Sequence, residues 1–286
     1  MGFLAVLLSA LIILAPGFAL RPTPEAVDAG VTIALGEPAR DDSDLPPISG
    51  ALDPDRPLVV IDAGHGGEDP GATSPFGGRY EKEVTLALAR AIRDEIAASA
   101  RVRVALTRDD DRYIDLRDRY TIARRLGADL FISVHADAAP KNDAAHGATI
   151  YTLSEVASDR EAAQLAAREN RSGLVEGAGS AGDAGVDRIL IDLAQRESMN
   201  LSADFAQLLK REASPFFPFR PDYHRFASLI VLKAPDIPSI LFESGYLTNA
   251  RDNAYIHSAE GQKQIATGMK RAIEAHFAQE IVASQS

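Results

Sequence analysis

Short runs of apolar and β-branched residues alternate with amphipathic stretches along most of the chain. Six apolar runs predict strands, over 58–62, 102–106, 130–134, 148–151, 229–232 and 239–242. Two stripes with the four-residue spacing of a helix face consist of Val84, Leu88, Ile92 and Ile96, and of Ile265, Met269, Ile273 and Phe277. Strands separated by helices predict an α/β fold, with a single twisted mixed sheet of about six strands flanked by helices.

The apolar run over 1–20 ends in small residues and is typical of an export signal peptide. The start of this segment lacks the Lys or Arg that usually begins a signal peptide. The apolar run is also nearly long enough to span a bilayer, so an uncleaved membrane anchor is the alternative. Residues 21–56 are rich in Pro, Asp and Gly without an apolar period, which predicts a linker. The folded domain is expected over 57–278, followed by a short tail over 279–286.

The segment over 154–215 shows no strand pattern inside this domain. Its composition predicts an Ala-rich helix over 159–170, a Gly-rich break, and a second helix over 186–211. We therefore expect a helical insert in the sheet.

Composition narrows the chemistry that this fold can perform. The chain has 286 residues, of which 46% are hydrophobic and 25% charged, enough for one substantial domain. It contains no cysteine, which excludes disulfides, thiolate metal sites and a cysteine nucleophile, so a metal must be held by His, Asp or Glu. A net charge of -11 argues against a nucleic-acid partner, because phosphate binding requires a basic face.

Two histidines each follow an apolar strand pattern at its carboxyl end, where open α/β sheets bind their ligands. His65 lies in a Gly-rich segment over 63–67, and His135 ends the run over 131–135. A phosphate-binding loop is the alternative for the first segment, but neither the dinucleotide nor the Walker pattern fits it. The two strands are expected to direct both imidazoles into one crevice.

Two carboxylates can complete this site. Glu81 lies in the first turn of the predicted helix that contains Val84, and two histidines with one glutamate form a ligand set of catalytic zinc. Glu83 is the rival ligand, but residues two apart on a helix point in divergent directions, so only one can face the metal. Glu243 ends another apolar run and is the candidate general base.

Four segments resemble the zinc-dependent N-acetylmuramoyl-L-alanine amidases that separate daughter cells. They are AGHGG over 63–67, YEKE over 80–83, SVHAD over 133–137 and ESGYLTN over 243–249, within a resemblance that covers about 58–277.

The resemblance implies that one zinc ion is bound by His65, Glu81 and His135, and that Glu243 is the catalytic carboxylate. It also implies that the bond cut is the amide between N-acetylmuramoyl groups and L-Ala of the peptidoglycan stem peptide. An exported, periplasmic location and cell-wall remodelling follow from the same resemblance.

In this family a helical insert covers the active site until an activator protein with a LytM domain displaces it. By resemblance, a carboxylate of the insert, for which Glu169 is the candidate, fills the fourth zinc position and silences the enzyme. The alternative is an ordinary wall of the substrate groove, with Glu169 exposed to solvent. The second insert helix carries an apolar set that predicts a surface for the activator, namely Ile189, Leu193, Leu201, Phe205 and Leu208.

Two other functions stay open at this stage. The same metal set would attack any amide, so a zinc peptidase of the stem peptide is one alternative. A wall-binding regulator without catalytic activity is the other. The histidines at 146, 224, 257 and 276 match no ligand motif and are expected at the surface or in packing.

Overall fold

The computed structural model of the chain describes residues 44–173 and 185–284. The predicted signal peptide or anchor over 1–20, the predicted linker up to residue 43, and most of the Gly-rich break in the insert lie outside the described residues.

Seven strands form one sheet in the order β1-β3-β2-β4-β7-β5-β6. The strands are β1 (Ile48–Gly50), β2 (Leu58–Ala63), β3 (Arg103–Leu106), β4 (Leu130–Asp137), β5 (Ala148–Leu153), β6 (Phe219–Ala227) and β7 (Ser239–Tyr246). Strands β3, β2, β4 and β7 are mutually parallel, whereas β1 and the β5-β6 pair run in the opposite direction. The predicted mixed sheet is therefore confirmed. The carboxyl ends of β2, β4 and β7 lie together at one edge.

Helices cover both faces of this sheet. The helices are α1 (Glu81–Ser99), α2 (Leu116–Arg125), α3 (Arg160–Glu169), α4 (Gly185–Ala213), α5 (Ala250–Ile256) and α6 (Ala259–Ser284). Helices α1, α4 and α6 contribute to the core on one face, and α2 and α3 to the core on the other. Both predicted helical stripes are buried, and burial of a residue such as Ile92 contributes roughly 1.5–3 kcal/mol.

One strand prediction is wrong. Residues 229–232 do not form a strand, because Ile230–Leu232 is a turn of 3-10 helix that closes with a hydrogen bond from Leu232 N to Leu229 O. The sixth strand along the chain is instead β6, which the apolar pattern missed. Strand β6 is a partly exposed edge strand that contains Pro221, and edge strands tolerate proline and need no continuous apolar run.

The folded domain extends beyond both predicted boundaries. Strand β1 lies within the predicted linker, where its three residues pair with β3. Helix α6 continues to Ser284 and so includes most of the predicted tail. A three-residue edge strand and a helix end lack the periodic pattern on which the boundaries were based.

The insert contains the two predicted helices, α3 and α4. Phe205 and Leu208 do not belong to the surface expected for an activator, because both are buried in the domain. A helix that packs against a sheet shows the same apolar spacing as one that awaits a partner, so the prediction is wrong for these two residues. Leu193 is 62% exposed, and the side chain of Ile189 lies outside what the structure describes.

Among the described helices, none combines the length and the apolar character that a membrane span requires.

Candidate metal centre

Three strands and one helix bring the predicted site residues to one edge of the sheet. His135 on β4 and Glu243 on β7 are register partners on adjacent parallel strands. His65 follows the end of β2 by two residues, and Glu81 is the first residue of α1. The negative charge of Glu81 in the first turn of α1 is also stabilised by the positive end of the helix dipole.

The side chains of His65, Glu81 and His135 are buried and converge on one point. Glu81 Oε1 lies 3.1 Å from His65 Nε2 and 3.0 Å from His135 Nδ1. The other oxygen, Oε2, accepts a hydrogen bond of 2.9 Å from the backbone N–H of Ala72. Glu81 is thus oriented by the backbone, with one oxygen directed at the two imidazoles. Glu83 is exposed, whereas Glu81 is the glutamate of this helix turn that meets the two imidazoles.

Glu169, at the end of α3, is the fourth group at this point. It is 3% exposed, and its Oε2 atom lies 3.4 Å from both His65 Nε2 and His135 Nδ1. Arg168 holds the other oxygen through a contact of 2.9 Å and also contacts Asp137 at 3.0 Å. The predicted exposed alternative for Glu169 is therefore wrong.

His65, Glu81 and His135 form one group whose ligand atoms all lie within 4.8 Å of one another, and Glu169 belongs to a second group with His135 and Glu243. Ligands about 2.0–2.1 Å from a tetrahedral zinc are separated by about 3.3–3.4 Å from one another. The four measured edges are 3.0, 3.1, 3.4 and 3.4 Å. His65 Nε2 is buried without a hydrogen bond, as expected of an atom that binds a metal. Two imidazoles and Glu81 can therefore hold a metal ion, and Glu169 Oε2 lies 3.4 Å from both imidazole nitrogens.

His65 is held in a backbone conformation that is uncommon for its residue type. Its φ angle is +61°, in the left-handed region, where side chains other than glycine are disfavoured. Asp69 contacts His65 Nδ1 at 2.8 Å, which leaves Nε2 directed at the centre.

Two buried arginines fix the backbone around His65. Arg119 donates to the carbonyl oxygens of Ala63 and His65 at 2.8 and 2.9 Å, and Arg108 donates to those of Ala63 and Gly64 at 2.9 and 2.8 Å. These carbonyls lie at the end of β2. Asp62 forms a buried ion pair of 2.9 Å with Arg119, so the charge of this arginine is compensated.

Gly64 makes room for the second histidine. A Cβ atom at this position would lie 2.4 Å from Cε1 and Nε2 of His135, well inside van der Waals contact. At Gly64 the space is needed by the imidazole on the neighbouring strand.

Glu243 lies beside the four donors. It is fully buried, and neither of its oxygens forms a hydrogen bond. One of its oxygens lies within 4.8 Å of the ligand atoms of His135 and Glu169. Burial raises the pKa of Glu243 well above its ordinary value, and the nearby carboxylates of Asp137 and Glu81 raise it further. Its raised pKa makes this carboxyl group a better proton acceptor than an ordinary glutamate, as a general base requires.

The ligand set itself carries opposed charges. Burial lowers the pKa of His65, but the carboxylates of Glu81 and Asp69 outweigh this effect and place its pKa well above the ordinary value. Burial raises the pKa of Glu81, yet the two imidazoles hold it well below the usual range. A metal ion must displace any proton from the imidazole, so proton and metal compete for this site.

Sequence reasoning identified the converging side chains but missed those that orient them. Asp69 lies four residues after His65 in the same loop, and this short spacing was the available signal. No short sequence spacing marks the three arginines at this site, which are Arg108, Arg119 and Arg168. Their partners are backbone carbonyls or residues distant in sequence. The remaining histidines lie elsewhere, as expected; His276, for example, packs against Phe205.

Comparisons with known proteins agree with this geometry. Residues 59–275 match the family described as N-acetylmuramoyl-L-alanine amidase. The chain is 35% identical to the amidase AmiC of Escherichia coli O6:H1 over 81% of this chain and 56% of the relative. It is 35% identical to AmiA of Escherichia coli K12 over 77% of this chain and 76% of the relative. The chain thus spans about half the length of the AmiC relative and three quarters of AmiA.

Solved structures show the same fold. The catalytic domain of CwlV from Bacillus (Paenibacillus) polymyxa var. colistinus aligns with a TM-score of 0.56 and 25% identity, over 78% of this chain and 98% of that domain. AmiC2 of Nostoc punctiforme aligns with a TM-score of 0.55 and 26% identity, over 78% and 97%. By its match over most of its length, this chain belongs to the N-acetylmuramoyl-L-alanine amidase family.

Proposed function

We propose that this chain is a zinc-dependent amidase that hydrolyses the bond between N-acetylmuramoyl groups and L-Ala of the peptidoglycan stem peptide. The observation that carries the proposal is the convergence of His65, Glu81 and His135, with Glu243 beside them, in a member of this family. Two imidazoles and one carboxylate are a ligand set of catalytic zinc.

The residues have separate tasks in this reaction. A zinc ion bound by His65, Glu81 and His135 supplies a Lewis acid that polarises the amide carbonyl and acidifies water. Glu243 takes a proton from the attacking water and returns it to the amino group of the leaving L-Ala. Its burial and its raised pKa suit both transfers. Asp69 and the backbone N–H of Ala72 keep the ligands oriented.

Glu169 gives the enzyme a closed resting state. Its Oε2 atom lies 3.4 Å from both imidazole nitrogens, which supports a resting state in which this carboxylate takes the place of the attacking water and α3 must leave before the reaction begins. Departure of Glu169 also removes one of the negative charges that raise the pKa of Glu243. The base then functions in a less anionic environment.

A protein that displaces α3 is the expected activator, and a LytM-domain protein is the candidate by family resemblance. Export to the periplasm follows from the apolar run over 1–20 and from a peptidoglycan substrate. The role in the cell is wall remodelling and separation of daughter cells, as the resemblance to the amidases that separate daughter cells implies.

Digestion of purified sacculi tests the reaction, the metal and the base together. An amidase releases intact stem peptides with a free L-Ala amino terminus, whereas a stem-peptide peptidase releases fragments. Glu243→Gln should lower the rate by roughly 10²–10⁴-fold while the bound zinc is retained. Release of peptides that lack L-Ala, or full activity after chelation, would refute the proposal.

Glu169→Ala tests the closed state. If the open form is roughly 0.1–10% of the resting population, the variant should raise basal activity by roughly ten- to thousand-fold. Glu155→Ala, an exposed carboxylate of the same insert, is the matched control and should leave basal activity unchanged. Equal basal activity of the Glu169 variant and the wild type would contradict the closed state.

A further inference from the structure

A row of three side chains crosses the sheet at the candidate metal centre. Glu243 of β7 is the register partner of His135 on β4 and, on its other side, of Thr149 on β5. Register partners on adjacent strands direct their side chains to the same face of a sheet. The candidate general base therefore lies between a metal-site histidine and the hydroxyl group of a threonine.

This row points to the face of the sheet that α3 covers. Phe242 and Ile150, the neighbours of Glu243 and Thr149 along their strands, belong to the core on the opposite face. Because side chains alternate along a strand, Glu243 and Thr149 point towards the core to which α3 contributes. Both side chains are fully buried.

The hydrogen-bonding groups of Glu243 and Thr149 are chemically complementary. In the part of the chain that the structure describes, neither oxygen of Glu243 nor Oγ1 of Thr149 has a hydrogen-bond partner. A hydroxyl group donates, and a carboxylate accepts. Buried polar atoms of native proteins are nearly always paired. An unpaired donor opposite an unpaired acceptor therefore indicates a bond that forms in another state of the protein.

The strands hold these two residues opposite each other. Ser244 donates a hydrogen bond of 2.9 Å to the carbonyl oxygen of His135, which joins the end of β7 to β4. Asp252 accepts bonds of 3.0 Å from the backbone N–H of Tyr246 and 2.7 Å from that of Gly147, which joins the end of β7 to the residue before β5. The backbone of Glu243 is thus fixed on both sides, and rotation of its own side chain is the freedom that remains.

We propose that Thr149 is a positioning residue for Glu243: once α3 has departed, its hydroxyl donates a hydrogen bond to one carboxylate oxygen and leaves the other oxygen for the attacking water. The inference rests on the proposed function, in which Glu243 is the base. Arg168, whose charge acts on this carboxylate in the closed form, departs with α3, whereas Thr149 belongs to the sheet and stays. A neutral hydroxyl orients the base without pairing its charge.

Turnover of a soluble N-acetylmuramoyl-peptide by the full-length chain with Glu169→Ala tests the role of the hydroxyl. Thr149→Val removes the hydroxyl but keeps the shape of the side chain, and should lower kcat roughly 10- to 100-fold, as loss of a hydrogen bond to a charged group implies. KM and the bound zinc should not change. Thr149→Ser keeps a hydroxyl and should restore most of the rate. With Glu243→Gln also present, Thr149→Val should have no further effect, because Thr149 acts through Glu243.

Thermal unfolding separates this role from a structural one. Because the hydroxyl of Thr149 is buried without a partner among the described residues, Thr149→Val should keep or raise the unfolding temperature of the otherwise wild-type chain. Thr152→Val is the matched control on the same strand, because the hydroxyl of Thr152 lies 3.0 Å from His224 Nε2 in a hydrogen bond. This change should lower the unfolding temperature and leave kcat as it was.

A crystal structure of the Glu169→Ala chain gives a readout that does not depend on turnover. Thr149 Oγ1 should lie about 2.5–3.0 Å from an oxygen of Glu243. A separation beyond hydrogen-bond distance, or equal kcat of the Thr149→Val variant and its parent, would overturn the inference and leave the proposed function intact. If the two oxygens are bonded but the chain cuts no muramoyl–L-Ala amide, the proposed function is refuted, and the role of Thr149 in the reaction is refuted with it.

Discussion

Arg119 of α2 donates a hydrogen bond of 2.9 Å to the carbonyl oxygen of His65, which lies 54 residues earlier in the chain. Helix α2 thereby supports the backbone of a histidine in the candidate metal centre. The bond joins a fully buried guanidinium to a residue with a positive φ angle. The left-handed conformation of His65 costs roughly 1–3 kcal/mol, which the surrounding hydrogen bonds must offset.

Arg119→Lys should therefore weaken metal binding, because an ammonium cannot reach Asp62 and the two carbonyls in the same fork geometry. We expect roughly a 10- to 100-fold loss of zinc affinity, measured by competition with a chromophoric chelator. Arg117→Lys, on the exposed side of the same helix, should leave the affinity unchanged. An unchanged affinity in both variants would show that Arg119 has no part in positioning His65.

Asp62→Asn should destabilise the fold most strongly near neutral pH. Burial raises the pKa of Asp62, but Arg119 and the hydroxyls of Thr107 and Ser133 outweigh it and hold the pKa below its ordinary value. The stabilisation by Asp62 is thus present above the pKa of the unfolded chain, about 3.9, and is lost as the pH falls further.

The Asn variant leaves Arg119 buried without its counter-charge, so the free energy of unfolding at pH 7 should fall by roughly 3–5 kcal/mol. Urea denaturation of the metal-free proteins should show the difference from wild type shrinking below about pH 4. A difference that stays constant over this range would contradict the assigned pKa shift.

Gly64→Ala should abolish metal binding with a smaller effect on the rest of the fold. The added methyl group would overlap the His135 ring, which must then rotate away from the centre. Gly77→Ala is the control, because its Cβ would meet no atom within 4 Å and the change adds only backbone strain. Zinc content after dialysis, measured by atomic emission, should be near zero for the first variant and stoichiometric for the second.

Arg168→Met should weaken the closed resting state in which Glu169 of α3 lies at the candidate metal centre. Its guanidinium bridges Asp137 and Glu169, and its loss leaves Asp137 buried without its cation in the closed form alone. Arg168 is 35% exposed, so we expect a modest rise in basal activity on sacculi, roughly five- to tenfold. Arg171→Met, on the next turn and exposed, should have no effect. A lower basal activity in the Arg168 variant would mean that the residue serves catalysis instead.

From the sequence alone we could predict the α/β class, five of the strands and both insert helices. We could also predict four side chains that lie together at the sheet edge, those of His65, Glu81, His135 and Glu243. Long elements can be predicted because their buried positions recur with a regular spacing, as from Val84 to Ile96 on α1. The two histidines could be predicted because each directly follows an apolar strand pattern in the sequence. It did not predict β1 or β6, because short and exposed edge strands need few apolar residues.

Only the tertiary structure decided which carboxylates meet the histidines and what holds them there. Glu81 and Glu83 have the same local chemistry, and burial of one face of α1 separates them. The arginine bonds to the carbonyls of residues 63–65 join parts of the chain more than 40 residues apart. The position of Glu169 depends on how α3 packs over the sheet edge. Such contacts leave no pattern in one sequence, because backbone carbonyls are the same at every residue and packing alone selects the ones that an arginine reaches.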